Sequence, residues 1–339
     1  MPTISNGGKY MQAVTYTGTG ATQTITVGFQ PDLVWIKSRS AATDHKLTDS
    51  VRGVTKALIS DTTGAETTDT NGVTAFTSTG FTLGSDSVYN TNGATYVAWC
   101  WQAGQGSTSS NTSGSITSTV SVNTTAGFSV VTYTGNATTG ATVGHGLGVK
   151  PAMVILKTRA GGIEGWPVWQ KSLASESYFL RLNETSATYT SLSNRWTAFS
   201  STTITLGNNT ETNGSGYTYV AYCWAEIAGF SKFGSYTANA STDGPFIYTG
   251  FRPKYILIKG SVAGNNWVTL DTSRSTYNQV AAYLLPNVSN AEGTAGDYID
   301  ILSNGFKIRD SGSDVNYSSG ATYIYMAFAE NPFKNALAR

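Results

Sequence analysis

Two short acidic–basic pairs are the first residues in this 339-residue chain whose types and spacing could do chemistry. Asp49-Ser50-Val51-Arg52 and Asp271-Thr272-Ser273-Arg274 share one spacing. A carboxylate is what glycan hydrolysis would require, although that chemistry needs two facing each other across the scissile bond. An Asp with an Arg three residues later is also the ordinary means of pinning a turn. The middle of the chain has Gln170-Lys171-Ser172-Leu173 at the corresponding point. Catalytic machinery kept in two of three copies would be unusual, so Asp49, Arg52, Asp271 and Arg274 read as structural, with contact to a polar ligand as their second role. Trp166, Trp169 and Trp267 lie in the same segment, and His45 takes the comparable place near the front. Aromatic rings on loops can stack on sugar faces, whereas in cores they simply fill space. These four side chains are the remaining candidates for glycan contact.

Other reactive residue types fall away on context. Cys100 and Cys223 each follow a Tyr by four residues, and Ala327 stands at the third such position. A site that takes Cys, Cys and Ala is a small buried strand position, which predicts free thiols and no disulfide. Two His and two core Cys supply no three-ligand metal set. No segment resembles a nucleophile elbow. His145, in His145-Gly146-Leu147-Gly148, reads as a turn residue that satisfies nearby backbone. The glycine-rich run 140–144 precedes no helix and so offers no dinucleotide site. The sequence therefore assigns no catalytic residue, no metal and no cofactor, and predicts a protein that is not an enzyme.

The elements that hold these residues recur three times. Pro31-Asp32-Leu33-Val34-Trp35-Ile36-Lys37, Pro151-Ala152-Met153-Val154-Ile155-Leu156-Lys157 and Pro253-Lys254-Tyr255-Ile256-Leu257-Ile258-Lys259 are each a Pro, an apolar run and a Lys. Runs this short read as buried strands. A closing marker follows each: Thr95-Tyr96-Val97-Ala98-Trp99-Cys100-Trp101, Thr218-Tyr219-Val220-Ala221-Tyr222-Cys223-Trp224 and Thr322-Tyr323-Ile324-Tyr325-Met326-Ala327-Phe328. Gly80-Phe81-Thr82-Leu83 and Gly305-Phe306-Lys307-Ile308 form a third marker, reduced to Ile204-Thr205-Leu206 in the middle. Val14-Thr15-Tyr16-Thr17-Gly18 and Val131-Thr132-Tyr133-Thr134-Gly135 open the first two copies. Ordered markers at matching spacing define an internal repeat, with units at 1–104, 105–228 and 229–339. Each is long enough to hold its own core, and short strands between Gly, Asn, Asp and Thr turns predict three antiparallel, jelly-roll-like β-sandwiches with no helical periodicity. The stretch 104–115, rich in Gly and Ser, reads as a linker.

Composition narrows the partners. Charged residues are 12% of the chain, about half the usual share, and the net charge is +1. No basic run exists to attract nucleic acid or anionic lipid. The start Met1-Pro2-Thr3-Ile4 has neither a charged nor an apolar segment of the signal-peptide kind, and no apolar run approaches the length of a membrane span. A hydroxyl-rich surface made without export suits a virion component released by lysis.

The set Gly28-Phe29-Gln30-Pro31, Asp49-Ser50-Val51-Arg52-Gly53, Gly80-Phe81-Thr82-Leu83-Gly84 and Tyr96-Val97-Ala98-Trp99-Cys100-Trp101 resembles a repeat of tail-fibre-like and other virion structural proteins of tailed, often marine, bacteriophages. The segments 126–135 and 145–148, and the ending Ala327-Phe328-Ala329-Glu330-Asn331-Pro332-Phe333, are similar to the same family. The resemblance implies a virion structural protein that carries no catalytic motif. It implies a tail fibre or host-recognition part, commonly homotrimeric, that contacts other virion proteins and a glycan or protein receptor on the host. Two alternatives stand beside it. One is a head-decoration, head-fibre or tail-body scaffold, and the other a glycan-degrading tail protein.

Overall fold

A computed structural model describes residues 4–190, 194–296, 298–317 and 319–330, with the side chain of Ser313 excepted. The end of the closing motif, Asn331-Pro332-Phe333, lies outside the described residues. The protein is all-β, with 43% strand and 4% helix, and its sheets pair antiparallel.

The closing strand of every unit is an interior strand of its larger sheet, flanked by the opening strand and the motif strand. Thr95–Trp101 lies between the opening strand Met11–Thr17 and the motif strand Leu33–Ser38. Thr218–Trp224 lies between Phe128–Thr134 and Met153–Ala160, and Thr322–Ala329 between Ser231–Thr237 and Pro253–Gly260. Strands buried on both faces need apolar side chains at consecutive positions, which is why these segments read as unbroken apolar runs. A second, three-stranded sheet covers one face of each larger sheet.

In units 1 and 2 the two faces go to different cores. Val34, Ile36, Ala98 and Cys100 pack under the three-stranded sheet of unit 1, against Ile25, Phe81 and Leu83. Val154, Leu156, Ala221 and Cys223 do the same in unit 2. The opposite face carries Leu33, Trp35, Trp99 and Trp101, and these join Phe128, Met153, Trp224, Tyr255 and Phe328 in one cluster drawn from all three units. Trp101, Trp224 and Phe328 take equivalent positions in the three closing strands, the last residue in units 1 and 2 and the last but one in unit 3. Trp101 meets the Trp224 ring at 5.9 Å and the Phe328 ring at 6.0 Å. The units therefore form a ring around a pseudo-threefold axis plugged by these three residues. Units 1 and 2 each have an inter-sheet core of their own, as expected, while the inter-sheet residues of unit 3, Ile247, Ile256, Phe306 and Ile308 among them, are continuous with the central cluster that all three units share.

Two more expectations change. The segment read as a linker is tied down, because buried Asp32 accepts from the backbone N–H groups of Ala103, Gln105 and Gly106 at 2.6, 2.8 and 2.8 Å. Ser109–Asn111 then pairs with Ser118–Asn123 as part of the sheet of unit 2. One-turn helices, too short to show periodicity, precede the closing strands at Ser87–Asn90, Thr210–Asn213 and Ser313–Asn316. Their last residues, Asn90, Asn213 and Asn316, are fully buried. Each Asn accepts one backbone N–H (from Thr19, Asn136 or Asn239) and donates to carbonyls, including Gly84, Gly207 and Ser241, at 2.7–2.8 Å.

Cys100 and Cys223 are free and fully buried. Burial raises both thiol pKa values, that of Cys223 to about 12. Since the thiolate is the reactive form, native protein is expected to leave both thiols unmodified by a disulfide-exchange reagent at pH 8. Two thiols per chain are expected to react in denaturant. Modification of the native chain at the unfolded rate would contradict the buried placement.

Candidate functional site

The residues singled out for chemistry converge at the junctions between units. Sheet register aligns Asp49, Gln170 and Asp271 opposite Leu33, Met153 and Tyr255 of the motif strands. Asp49 Oδ1 accepts from the N–H groups of Val51 and Arg52 at 3.1 and 2.8 Å, closing the turn. Its Oδ2 takes Arg52 Nε and, at 2.9 Å, the hydroxyl of Tyr222 from unit 2. Arg52 donates onward to the Leu47 carbonyl at 2.9 Å, to Tyr222 at 3.1 Å and to Glu66 at 3.1 Å. Glu66 then holds Arg159 of unit 2.

Unit 3 repeats this toward unit 1. Asp271 accepts from Ser273 N, Arg274 N and Arg274 Nε, and from Trp99 Nε1 of unit 1 at 3.0 Å. Arg274 reaches Thr269 O and Glu292, and Glu292 binds Arg39 of unit 1 through both oxygens. Each network has two carboxylates and two guanidinium groups, so each is neutral. At the third junction Gln170 Nε2 donates instead to the Gly234 and Tyr325 carbonyls of unit 3. Leu173, Thr188, Ser261 and Met326 occupy the places of Arg, Glu, Arg and the Tyr or Trp donor, so charge is lost there as a complete set.

A backbone bond common to all three junctions sets the geometry. Glu66 N donates to Arg159 O, Thr188 N to Ser261 O, and Glu292 N to Arg39 O, each at 2.9 Å. Unit 1 thus docks on unit 2, unit 2 on unit 3, and unit 3 back on unit 1. A head-to-tail interface whose rotation closes makes a ring.

His45, Trp166 and Trp267 share the register position opposite the motif Lys. Trp166 Nε1 donates to the Ile59 and Thr62 carbonyls of unit 1 at 2.9 and 3.1 Å. Trp267 Nε1 donates to Arg181 O of unit 2 at 2.9 Å. His45 accepts from Trp35 Nε1 at 3.1 Å, its ring faces the Leu285 backbone of unit 3, and burial holds its pKa well below the ordinary value. Trp169 belongs elsewhere: it is the counterpart of Thr48 and Leu270, and it stacks on Phe199 at 4.0 Å in the inter-sheet core. All four side chains are at most 2% exposed, and the side chains of Asp49, Arg52, Asp271 and Arg274 are fully buried. The structural reading of Asp49, Arg52, Asp271 and Arg274 fits these contacts, whereas their second role in contacting a polar ligand and the glycan-contact role of His45, Trp166, Trp169 and Trp267 are corrected by burial. Trp169 is enclosed in the core of its own unit, and the other seven are enclosed where units meet, so all eight are out of reach of an external ligand. His145 accepts from Leu147 N at 3.2 Å within its own turn.

The motif lysines were missed as junction residues. Lys37, Lys157 and Lys259 are fully buried, and their Nζ atoms donate to carbonyls. Lys157 reaches Thr63 O of unit 1 and Lys259 reaches Thr185 O of unit 2, whereas Lys37 bonds Ser38 O and Ala41 O of its own unit. Burial lowers the pKa of all three to about 8. The unfolded lysines titrate near 10.4. Between these values the folded state has already released protons that the unfolded state still holds, so stability rises with pH. Below about pH 8 both states are protonated, and this contribution is constant. Above about pH 8.5 the buried thiols of Cys100 and Cys223 offset part of this rise, because burial raises their pKa values while unfolded thiols ionise, and above about pH 10 buried Tyr16, Tyr133 and Tyr236, raised in the same way, reverse the trend. Urea unfolding is therefore expected to show stability higher by about 1–3 kcal/mol at pH 9.5 than at pH 7.5. A flat or falling profile over that range in a Cys100→Ala/Cys223→Ala variant, which removes the opposing thiols, would refute the buried-lysine account.

A family model described as a domain of unknown function, DUF7483, matches residues 6–332. The chain belongs to that family. No curated protein matches it.

Proposed function

We propose, on the resemblance of the repeat motifs and not on the family, which assigns no activity, that the chain is a bacteriophage virion structural protein: a tail-fibre or host-recognition component that acts by binding and not by catalysis. The observation that supports this reading most is the closed ring. The side chains best suited to chemistry, Asp49 with Arg52 and Asp271 with Arg274, are committed to joining units. What the ring leaves for recognition is its outer surface, poor in charge and rich in Thr and Ser. Its partners are other virion proteins and a glycan or protein on the host surface.

Immunogold electron microscopy of whole particles tests the placement, with label expected at the distal tail. Purified protein is expected to adhere to host cells and to block adsorption, and failure of both refutes the host-recognition role. The second reading, a head-decoration or tail-body scaffold, is favoured by the pseudo-threefold symmetry, which suits a seat on a symmetric lattice. Label on the head or tail body would select it. Sedimentation distinguishes a homotrimer of the whole chain from a 35.8 kDa monomer whose threefold packing is internal. Release of reducing sugar from host polysaccharide would overturn the non-catalytic part of the proposal.

A further inference from the structure

The three units share a fold, so a face that differs in one of them can be judged against its sisters. In unit 1 the outward row across the three-stranded sheet is Thr24, Thr82 and Ala75, with Thr26, Gly80 and Thr77 beside it. In unit 2 it is Thr142, Thr205 and Ala198, with Gly144 and Thr203 beside it. At the same register unit 3 has Phe246, Lys307 and Asp300, with Tyr248, Gly305 and Leu302 beside it. Phe246 is 46% exposed and Tyr248 62% exposed. The fold does not require aromatic rings there, since threonine or glycine serves in both sister units. Exposing them is unfavourable unless something covers them.

We propose that this face is a saccharide-binding platform, in which the rings of Phe246 and Tyr248 stack on the apolar faces of sugar rings. Residues two apart on a strand stand about 7 Å from each other on one face, so the two rings form a row along the strand Phe246–Tyr248. Gly305, opposite Tyr248, adds no side chain beside the Phe246 ring; a Cβ there would lie 2.1 Å from the Ile247 carbonyl oxygen, the same backbone approach that Gly80 makes to Ile25 in unit 1. Charged groups border the rings in mutually bonded pairs, Lys307 with Asp243 at 2.7 Å and Arg309 with Asp300 at 2.6 Å. Such pairs offer hydroxyl groups both donors and acceptors with no net charge, which suits a neutral glycan. A protein partner is disfavoured by size, because a stable interface takes about 800 Å² from each side. Two rings and a leucine fall short of that. This inference rests on the host-recognition reading and names its ligand class.

The test is affinity electrophoresis of the full chain through gels containing laminarin, dextran, mannan or alginate, with a Phe246→Thr/Tyr248→Thr double variant alongside. Because these replacements copy the sister unit, the variant is expected to keep the wild-type melting temperature. The wild type is expected to be retarded by at least one of the neutral polymers, and the variant to bind it at least tenfold more weakly. Equal retardation of both proteins, no retardation on any of the four polymers, or retardation on alginate alone overturns the platform. A change in sedimenting mass caused by the double variant also overturns it, in favour of contact between chains. Adsorption blocking on host cells separates the two levels. If blocking persists while the platform fails, the host-recognition reading stands without it; if wild-type protein neither blocks nor adheres, that reading has failed.

Discussion

Arg52→Met is expected to lower the unfolding free energy by about 3–5 kcal/mol, the cost of leaving a buried charge without its partner. The guanidinium donates to Asp49, Glu66, Tyr222 and the Leu47 and Lys56 carbonyls, and its side chain is fully buried. Methionine fills much of the volume and supplies no donor. Asp49 then keeps its two backbone donors and Tyr222 but loses its countercharge, while Glu66 retains only Arg159. Combining Arg52→Met with Asp49→Asn is expected to cost less than the sum of the single changes, since the double variant buries no lone carboxylate at that position. Arg274→Met is expected to behave the same way at the junction of units 3 and 1. Denaturant titration checks each case. A loss below about 1 kcal/mol, the range of an exposed ion pair, would show that the network does not stabilise the ring.

Trp101→Ala is expected to be comparably severe, at about 3–5 kcal/mol, because a large ring is removed from a site that cannot collapse. Trp101 is 1% exposed and packs against Trp224, Phe328, Tyr255 and Phe128, residues of the other two units. The vacated volume lies where three sheets meet, and the sheets of units 1 and 2 are each fixed by a separate inter-sheet core. Loss of the plug is also expected to broaden the unfolding transition, as contact between units weakens relative to cohesion within them. Trp101→Phe copies the residue that unit 3 uses at Phe328 and is expected to cost no more than about 1.5 kcal/mol. Calorimetry on both variants checks this. If Trp101→Ala melts like the wild type, the shared core does not hold the units together.

Much of the fold was legible because it is local and repeated. The Pro-to-Lys runs and the closing Tyr mark strands in every unit, and the paired glycines at Gly80 and Gly305 do so in units 1 and 3. The Cys, Cys, Ala series located a buried small position without reference to any partner. Trp169 was grouped with Trp166 by proximity alone, and strand register separates them: residues one apart point to opposite faces, and counting from the Pro is off by one in unit 2. The lysines were read as charged ends of buried strands, since no local signal distinguishes an ammonium in water from one bonded to another unit's carbonyls.

The junction networks were hidden for a different reason. Arg39 and Arg159 each follow their motif Lys by two residues, and Glu66 and Glu292 lie in comparable loops, so the residue types are visible in the chain. Their dependence on Asp49 and Asp271 is offset by one unit: the acid–base pair of one unit answers to the Arg of the next. Unit 2 has Gln170 because unit 3 has Ser261 and Met326, and no comparison within a single unit could show it. The sequence by itself determined the strands, their inward faces and their threefold repetition, because alternation and turn chemistry act over a few residues. Only the tertiary structure decided that the repeats close into a ring around a common core and spend their polar candidates there, because that outcome depends on packing between segments more than 90 residues apart.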